Sequence, residues 1–321
     1  MKMKKVLALA TAFAMTASMA ACGGGADDGK YEIGICQLTQ HVALDAATQG
    51  FMDTLTEKLG EENVEFDLQN ASGESSTCSS IINQFVSSNV DLILANATPA
   101  LQAAAAGTGD IPILGTSVTD YATALEIDNW TGVTGKNISG SSDLAPLADQ
   151  AAMLNELFPD AKNVGIVYCS SEPNSKYQAE VITDALEAME YKCTEYTFTD
   201  SNDIAAVVTN AIATSDVLYI PTDNKAADNA ELINNICEPA GVPIIAGEEG
   251  ICAGCGVATL SIDYYEIGQK AGEMAYEILV NGADVSKMPV ETADAVTKKY
   301  DADRCAKLNI EVPEGYVAIE K

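Results

Sequence analysis

The chain has 321 residues, with 17 lysine and arginine side chains against 47 aspartate and glutamate, one histidine, and a formal net charge of −30 at pH 7. A field of that sign repels phosphate-rich partners and excludes nucleic acid, while 47% hydrophobic and 6% aromatic residues describe a globular chain rather than a disordered one. Beyond residue 30 the length suits two lobes of ordinary domain size, and no apolar stretch there reaches the roughly 18 residues a membrane span needs.

Lys2, Lys4 and Lys5 form a basic head, residues 6–14 an apolar run, and Ala20-Ala21-Cys22 a small-residue exit, so 1–21 reads as a secretory signal peptide. The run Ser18-Met19-Ala20-Ala21-Cys22 resembles the bacterial lipoprotein signal, with Met19 where that signal usually has leucine. The resemblance implies that Cys22 is acylated and anchors an exported protein to the outer face of the cell membrane. Gly23-Gly24-Gly25-Ala26-Asp27-Asp28-Gly29 follows as a flexible tether over 22–30, because glycine and short polar residues bury too little surface to order themselves.

Apolar runs of strand length then alternate with segments of helical period, the pattern of a parallel sheet covered on both faces. Strands are expected at 31–36, 64–69, 91–95 and 111–115, with helices such as 44–59 and 75–86 between them. A polar, glycine-punctuated passage over 117–142 separates this set from a second one. Helix 143–157 opens that second set, whose strands are expected at 164–168, 192–198, 217–220, 242–246 and 257–260. Helix 264–281 and the closing residues to 317 have no strand partner nearby in sequence and are expected to cross back between the lobes. The fold class read from this pattern is α/β, with two doubly wound parallel-sheet lobes joined by a multi-crossover hinge. The expected division is 31–138 plus about 263–288 for the N-terminal lobe and 139–262 plus about 289–321 for the C-terminal lobe.

The eight cysteines after Cys22 are scattered along strands and helices in a chain too large to need staples, which favours buried thiols over a disulfide framework. Cys252 and Cys255 have the spacing of a redox or zinc pair, yet zinc wants four ligands and no second pair exists. No metal or cofactor is expected.

Ligands of open parallel sheets bind beyond the carboxyl ends of the strands, where helix starts present free N–H groups. Those positions are polar throughout. The first lobe offers Gln37 and His41, then Asn96-Ala97-Thr98, then Thr116 and Ser117. The second offers Asn174 and Ser175, then Thr222-Asp223-Asn224, then Glu248 and Glu249, with Asp263 after its last strand. Each position taken singly is also explained by capping and turn chemistry; taken as a set they describe hydroxyls and amides facing carboxylates, an arrangement suited to a zwitterion. Arg304 is the only arginine and lies outside these segments, so no planar two-pronged clamp is available for a ligand carboxylate. Neither a nucleophile elbow nor a phosphate loop is present.

The segments His41-Val42-Ala43-Leu44-Asp45, Ala97-Thr98-Pro99, Pro221-Thr222-Asp223-Asn224, Gly247-Glu248-Glu249-Gly250 and Ile262-Asp263-Tyr264-Tyr265-Glu266-Ile267-Gly268 resemble, in order and spacing, the substrate-binding lipoproteins of ABC transporters linked to tryptophan and tyrosine uptake. Val42 and Tyr121 stand where those relatives often have proline, and Glu248 where they often have aspartate. The resemblance implies a type I periplasmic-binding-protein fold with three crossovers, no enzyme chemistry, and an amino acid ligand, aromatic above all, handed to an ABC permease. On that expectation Thr98, Thr116 and Ser117 meet the carboxylate and Asp223 with one of Glu248 or Glu249 holds the ammonium. Asn96, Asn174 and Asn224 fix orientation, and Leu44 or Tyr168 walls the side chain. The alternatives are a receptor for a branched-chain amino acid or nucleoside, and an exported hydrolase using His41 as base.

Overall fold

The computed structural model describes residues 29–320; the signal peptide, the lipidation position Cys22 and the tether as far as residue 28 lie outside the described residues. Two sheets carry the chain. The first lobe runs β1 (Tyr31–Gln37), α1 (Val42–Leu59), β2 (Val64–Asn70), α2 (Ser75–Ser88), β3 (Leu92–Asn96), α3 (Thr98–Gly107), β4 (Ile113–Val118), α4 (Tyr121–Ala124) and β5 (Ile138–Ser142). The second continues α5 (Leu147–Leu157), β6 (Asn163–Cys169), α6 (Pro173–Glu187), β7 (Lys192–Phe198), α7 (Ile204–Ile212), β8 (Val217–Ile220), α8 (Asn224–Asp228), α9 (Ala230–Ala240), β9 (Ile244–Ala246), α10 (Glu249–Gly254) and β10 (Ala258–Ser261). The chain closes with α11 (Tyr264–Leu279), β11 (Glu291–Thr292), β12 (Thr297–Tyr300), α12 (Ala302–Leu308) and β13 (Val317–Ala318).

The six-stranded sheet has the order β11-β5-β4-β3-β1-β2 and the seven-stranded one β13-β12-β10-β9-β8-β6-β7. Central strands such as Leu92–Asn96 are buried on both faces, as continuous apolar runs require in a parallel sheet. Pairing is parallel except where β12 runs antiparallel to β10. The chain passes between the lobes after β5, after β10 and after β11, which makes three crossovers.

Two boundaries differ from the expected division. Residues 139–142 and 291–292, assigned by sequence to the C-terminal lobe, belong to β5 and β11 of the first sheet. The strand Ile-Ser-Gly-Ser-Ser has neither alternation nor an apolar run, so its backbone bonds to β4, not its side chains, make it a strand. Gly140 sits there at φ +140°, where a side chain would collide with the Gly115 backbone.

Helices α1 and α11 come together closely. A Cβ on Gly50 would lie 2.2 Å from the Tyr265 carbonyl oxygen, and one on Gly268 only 2.0 Å from that of Ala47. This contact aligns the N-termini of both helices at the gap between the lobes. In the second lobe the sole arginine pins α10: the Arg304 guanidinium donates to the carbonyls of Cys252 (3.0 Å), Gly254 (3.0 Å) and Gly256, and pairs with Asp301 at 3.1 Å. A cation on the carbonyl end of a helix is the favourable placement. The eight cysteines among the described residues are free, and all but half-buried Cys193 are buried. No helix among the described residues is long and apolar enough to cross a membrane.

The helix contact yields a measurable consequence. Gly268→Ala should destabilise the protein by about 1–3 kcal/mol, because α1 and α11 must separate to admit the methyl group. Gly109→Ala, whose Cβ meets nothing, should stay within about 0.5 kcal/mol of the parent in the same urea titration. Equal stability of the two variants would disprove the close-approach argument.

Candidate functional site

A narrow polar cavity lies between the lobes. The first lobe contributes His41 and Leu44 from the start of α1 and Ser117 and Thr119 from the end of β4. Asp143, on the first crossover, and Tyr264, at the start of α11 after the second, form the hinge side. Across from them stand Asn174 from α6, Thr222 and Asp223 from the turn after β8, Asn224 and Ala227 from α8, and Glu248 ahead of α10.

Helix starts set much of this wall. His41 occupies the N-cap position of α1 without making a side-chain cap bond, so its ring is left for the cavity. Ser117 is held at φ +53° and Ala97 at φ +89°, backbone conformations that non-glycine residues seldom adopt and that cluster at ligand sites. Asp223 caps α8, accepting from the backbone N–H of Ala226 at 2.8 Å and of Cys169 at 2.7 Å. Glu248 caps α10, accepting from Gly250 N–H at 2.6 Å and from Ile251 N–H. Buried Glu172 gathers the facing amides, accepting from Asn224 Nδ2 at 2.7 Å, Asn174 Nδ2 at 3.2 Å and the backbone of Lys225 at 3.0 Å.

Burial controls the electrostatics. It pushes the Asp143 carboxyl up to about 6, with the nearby Glu248 charge adding to the rise and Thr119 and Tyr264 opposing it. Burial likewise pushes Asp223 up to about 7, reinforced by Glu172. Glu248 is raised by burial too. Four buried polar atoms on the cavity have no hydrogen-bond partner in the protein: His41 Nδ1, Ser117 Oγ, Asp143 Oδ1 and Asn174 Oδ1. Groups of this kind are rare in folded proteins and normally paired.

Eight sequence candidates therefore meet at the cavity: His41, Leu44, Ser117, Asn174, Thr222, Asp223, Asn224 and Glu248. The others do not line it. Gln37 is spent inside the first lobe, donating to Asp45 (2.6 Å) and Thr39 O (2.7 Å). Asn96 holds α1 through the Leu44 carbonyl at 2.8 Å and Thr48 at 2.9 Å, and buried Ala97 and Thr98 sit beside it at the β3–α3 turn. Thr116 accepts from Ser141 at 3.1 Å in the sheet interior. Tyr168 is buried in the second-lobe core and donates to Glu195 at 2.7 Å rather than walling the cavity, and Ser175 is fully buried behind Asn174. Glu249 is taken by Lys299 and Ser261, each at 2.6 Å, in a separate groove beside the hinge, and Asp263 caps α11 at 3.1 Å. An acid with a lysine already on it is not placed to take a ligand ammonium. Sequence reasoning missed Thr119, Asp143, Ala227 and Tyr264, which stand on a weak strand end, two crossovers and a helix face.

The lobes touch across the gap. The Thr39 hydroxyl donates to Asp228 at 3.0 Å, His41 Nε2 lies 3.3 Å from Asn224 Oδ1, and Lys225 Nζ reaches the Gly73 carbonyl at 3.5 Å. Among the described residues no group of three His, Cys, Asp or Glu side chains is arranged to hold a metal ion.

Comparison with known proteins agrees with this geometry. A tyrosine-binding protein of Clostridioides difficile (strain R20291) is 36% identical over 281 residues, 87% of this chain and 81% of that one. The structure of an ABC domain in complex with L-Trp from Streptococcus pneumoniae superposes with a TM-score of 0.86 at 28% identity, covering 90% of this chain and all of that one. The ligand-free, open structure of a substrate-binding protein with adhesive properties from Clostridium difficile is 37% identical over 90% of this chain and 99% of its own, but its TM-score is 0.69. The chain thus superposes better on the complex than on the open form in spite of the lower identity. The profile of the ABC transporter substrate-binding protein family matches residues 32–319. The chain belongs to that family and has the type I periplasmic-binding-protein fold.

Proposed function

We propose that this substrate-binding protein captures an aromatic L-amino acid between its lobes and passes it to an ABC permease. The observation that carries the reading is the set of four unpartnered polar atoms, two from the first lobe, one from the hinge and one from the second, around a single cavity. A ligand with donors and acceptors at both ends supplies what those atoms lack.

Charge sorts the ends. The ammonium faces the buried acids Asp143, Asp223 and Glu248, and the carboxylate faces Ser117, Thr119 and His41. Arg304 is engaged with α10, so the carboxylate meets neutral donors and helix N-termini. Leu44 and the Tyr264 ring supply apolar surface for the side chain. The tyrosine-binding relative and the L-Trp complex support an aromatic ligand. Hydrolysis would need a hydroxyl bonded to His41, whereas that ring hydrogen-bonds to Asn224.

A thermal-shift panel tests the ligand class. Tyrosine, tryptophan or phenylalanine at 100 times its dissociation constant should stabilise the protein by about 2.7 kcal/mol, a rise of several degrees. A panel won by leucine or a nucleoside would replace the aromatic reading.

The buried acids give a pH dependence. Their carboxyls are raised in the folded state, so between about pH 4 and 7 the folded protein binds more protons than the unfolded one, and ligand-free stability falls as pH rises through that window. An arriving ammonium favours the ionised forms, so binding near pH 6.5 should expel protons and affinity should drop below about pH 6. Calorimetry in buffers of different ionisation heat checks this; an identical apparent enthalpy in all of them would count against acids holding the ammonium.

We also infer that Cys22 carries a lipid that keeps the protein on the membrane. Cys22→Ser should move the protein from the membrane fraction to the soluble one, and unchanged partitioning would remove the anchor.

A further inference from the structure

Two of the three carboxylates on the cavity have both oxygens engaged by the protein. Asp223 spends Oδ1 on the N–H of Ala226 and Oδ2 on that of Cys169, and Glu248 spends Oε2 on Gly250 and Oε1 on Ile251. They act as helix caps whose charge is partly answered by backbone dipoles. Asp143 differs. Its Oδ2 accepts from the Tyr264 hydroxyl at 3.0 Å, but Oδ1 makes no hydrogen bond of ordinary geometry, with only the nearby Thr119 hydroxyl to favour the ionised carboxyl, although the residue is only 4% exposed. An ionised carboxylate can only accept, so a buried free oxygen asks for a donor from outside the chain.

Its position gives that oxygen a second meaning. Asp143 follows β5 and precedes α5, on the first crossover between the sheets, and Tyr264 begins α11 directly after the second crossover. The 3.0 Å bond joins the two connections about which the lobes turn. Neighbouring Glu248 opposes the Asp143 charge, and a cation placed between the two acids relieves that repulsion.

We infer that Asp143 accepts the ligand's ammonium through Oδ1 and, through Tyr264, ties occupation of the cavity to the arrangement of the hinge. The inference rests on the amino-acid reading above and assigns the ammonium to an acid that local capping patterns do not single out. Asp223 and Glu248 then hold α8 and α10 in place and shape the field, while Asp143 distinguishes an amine from its absence.

The test compares L-tyrosine with 3-(4-hydroxyphenyl)propanoate, which keeps the ring and carboxylate and lacks the amine, by calorimetry on the full chain. The parent protein should prefer tyrosine by about 30-fold or more, the loss expected when one partner of a buried charge pair is removed. Asp143→Asn should narrow that preference to within about threefold by weakening tyrosine alone. If the variant weakens both ligands equally, or keeps the preference, Asp143 is structural and the assignment is overturned. A parent protein that binds neither compound overturns the aromatic reading, and this inference with it. A crystal structure of the parent protein with L-tyrosine needs no variant: an ammonium nitrogen within about 3.2 Å of Asp143 Oδ1 supports the assignment, and one held only by Asp223 or Glu248 refutes it.

Discussion

Three carboxylates removed from water where two lobes meet govern the rest of this molecule. Asp143, Asp223 and Glu248 are each less than 5% exposed in a chain of net charge −30, so no surplus of surrounding cations is at hand to offset them. Burying an ionised group is strongly unfavourable unless it is hydrogen-bonded or paired. The fold meets that demand with backbone N–H groups at helix starts and with one tyrosine hydroxyl, and it leaves part of the demand unmet. A receptor site needs such a remainder, because a cavity fully satisfied by its own protein has nothing to gain from a ligand.

Rigid pieces carry these groups to the gap. Helix α10 is held at one end by Glu248 and at the other by Arg304, so the acid facing the cavity is placed by a cation on the far side of the lobe. The glycine contacts between α1 and α11 do the same for His41 and Tyr264. Among the described residues, by contrast, the side-chain bonds between the lobes are few and individually modest: Thr39 to Asp228, His41 to Asn224 and Lys225 to Gly73. Stiff lobes joined by a lightly bonded interface form a two-state element that a ligand touching both sides can bias.

Residues at the ends of strongly apolar strands were legible in the sequence. Ser117 at the end of β4 and Thr222 to Asn224 after β8 all reach the cavity, because the carboxyl end of a parallel strand faces one edge of its sheet whatever else surrounds it. Adjacent Glu248 and Glu249 were not separable: one caps α10 toward the cavity, and the next points to Lys299 in another groove. Thr116 precedes Ser117 by one residue and turns into the sheet, as alternation along a strand requires. Strand β5 escaped notice because serine and glycine leave no apolar signature, and with it went Asp143.

Local pattern alone determined that the chain is an α/β protein of two similar lobes with polar strand ends, since periodicity, turn residues and net charge are properties of short stretches and of sums. Which of those polar groups share a cavity, which are consumed by lysines, helix caps or the sheet interior, and which acid keeps a free oxygen was decided only by the tertiary structure. The physical reason is that hydrogen-bond satisfaction depends on partners 40 to 120 or more positions away, as between Asp143 and Tyr264 or Asn96 and Thr48, and no local pattern encodes such pairings.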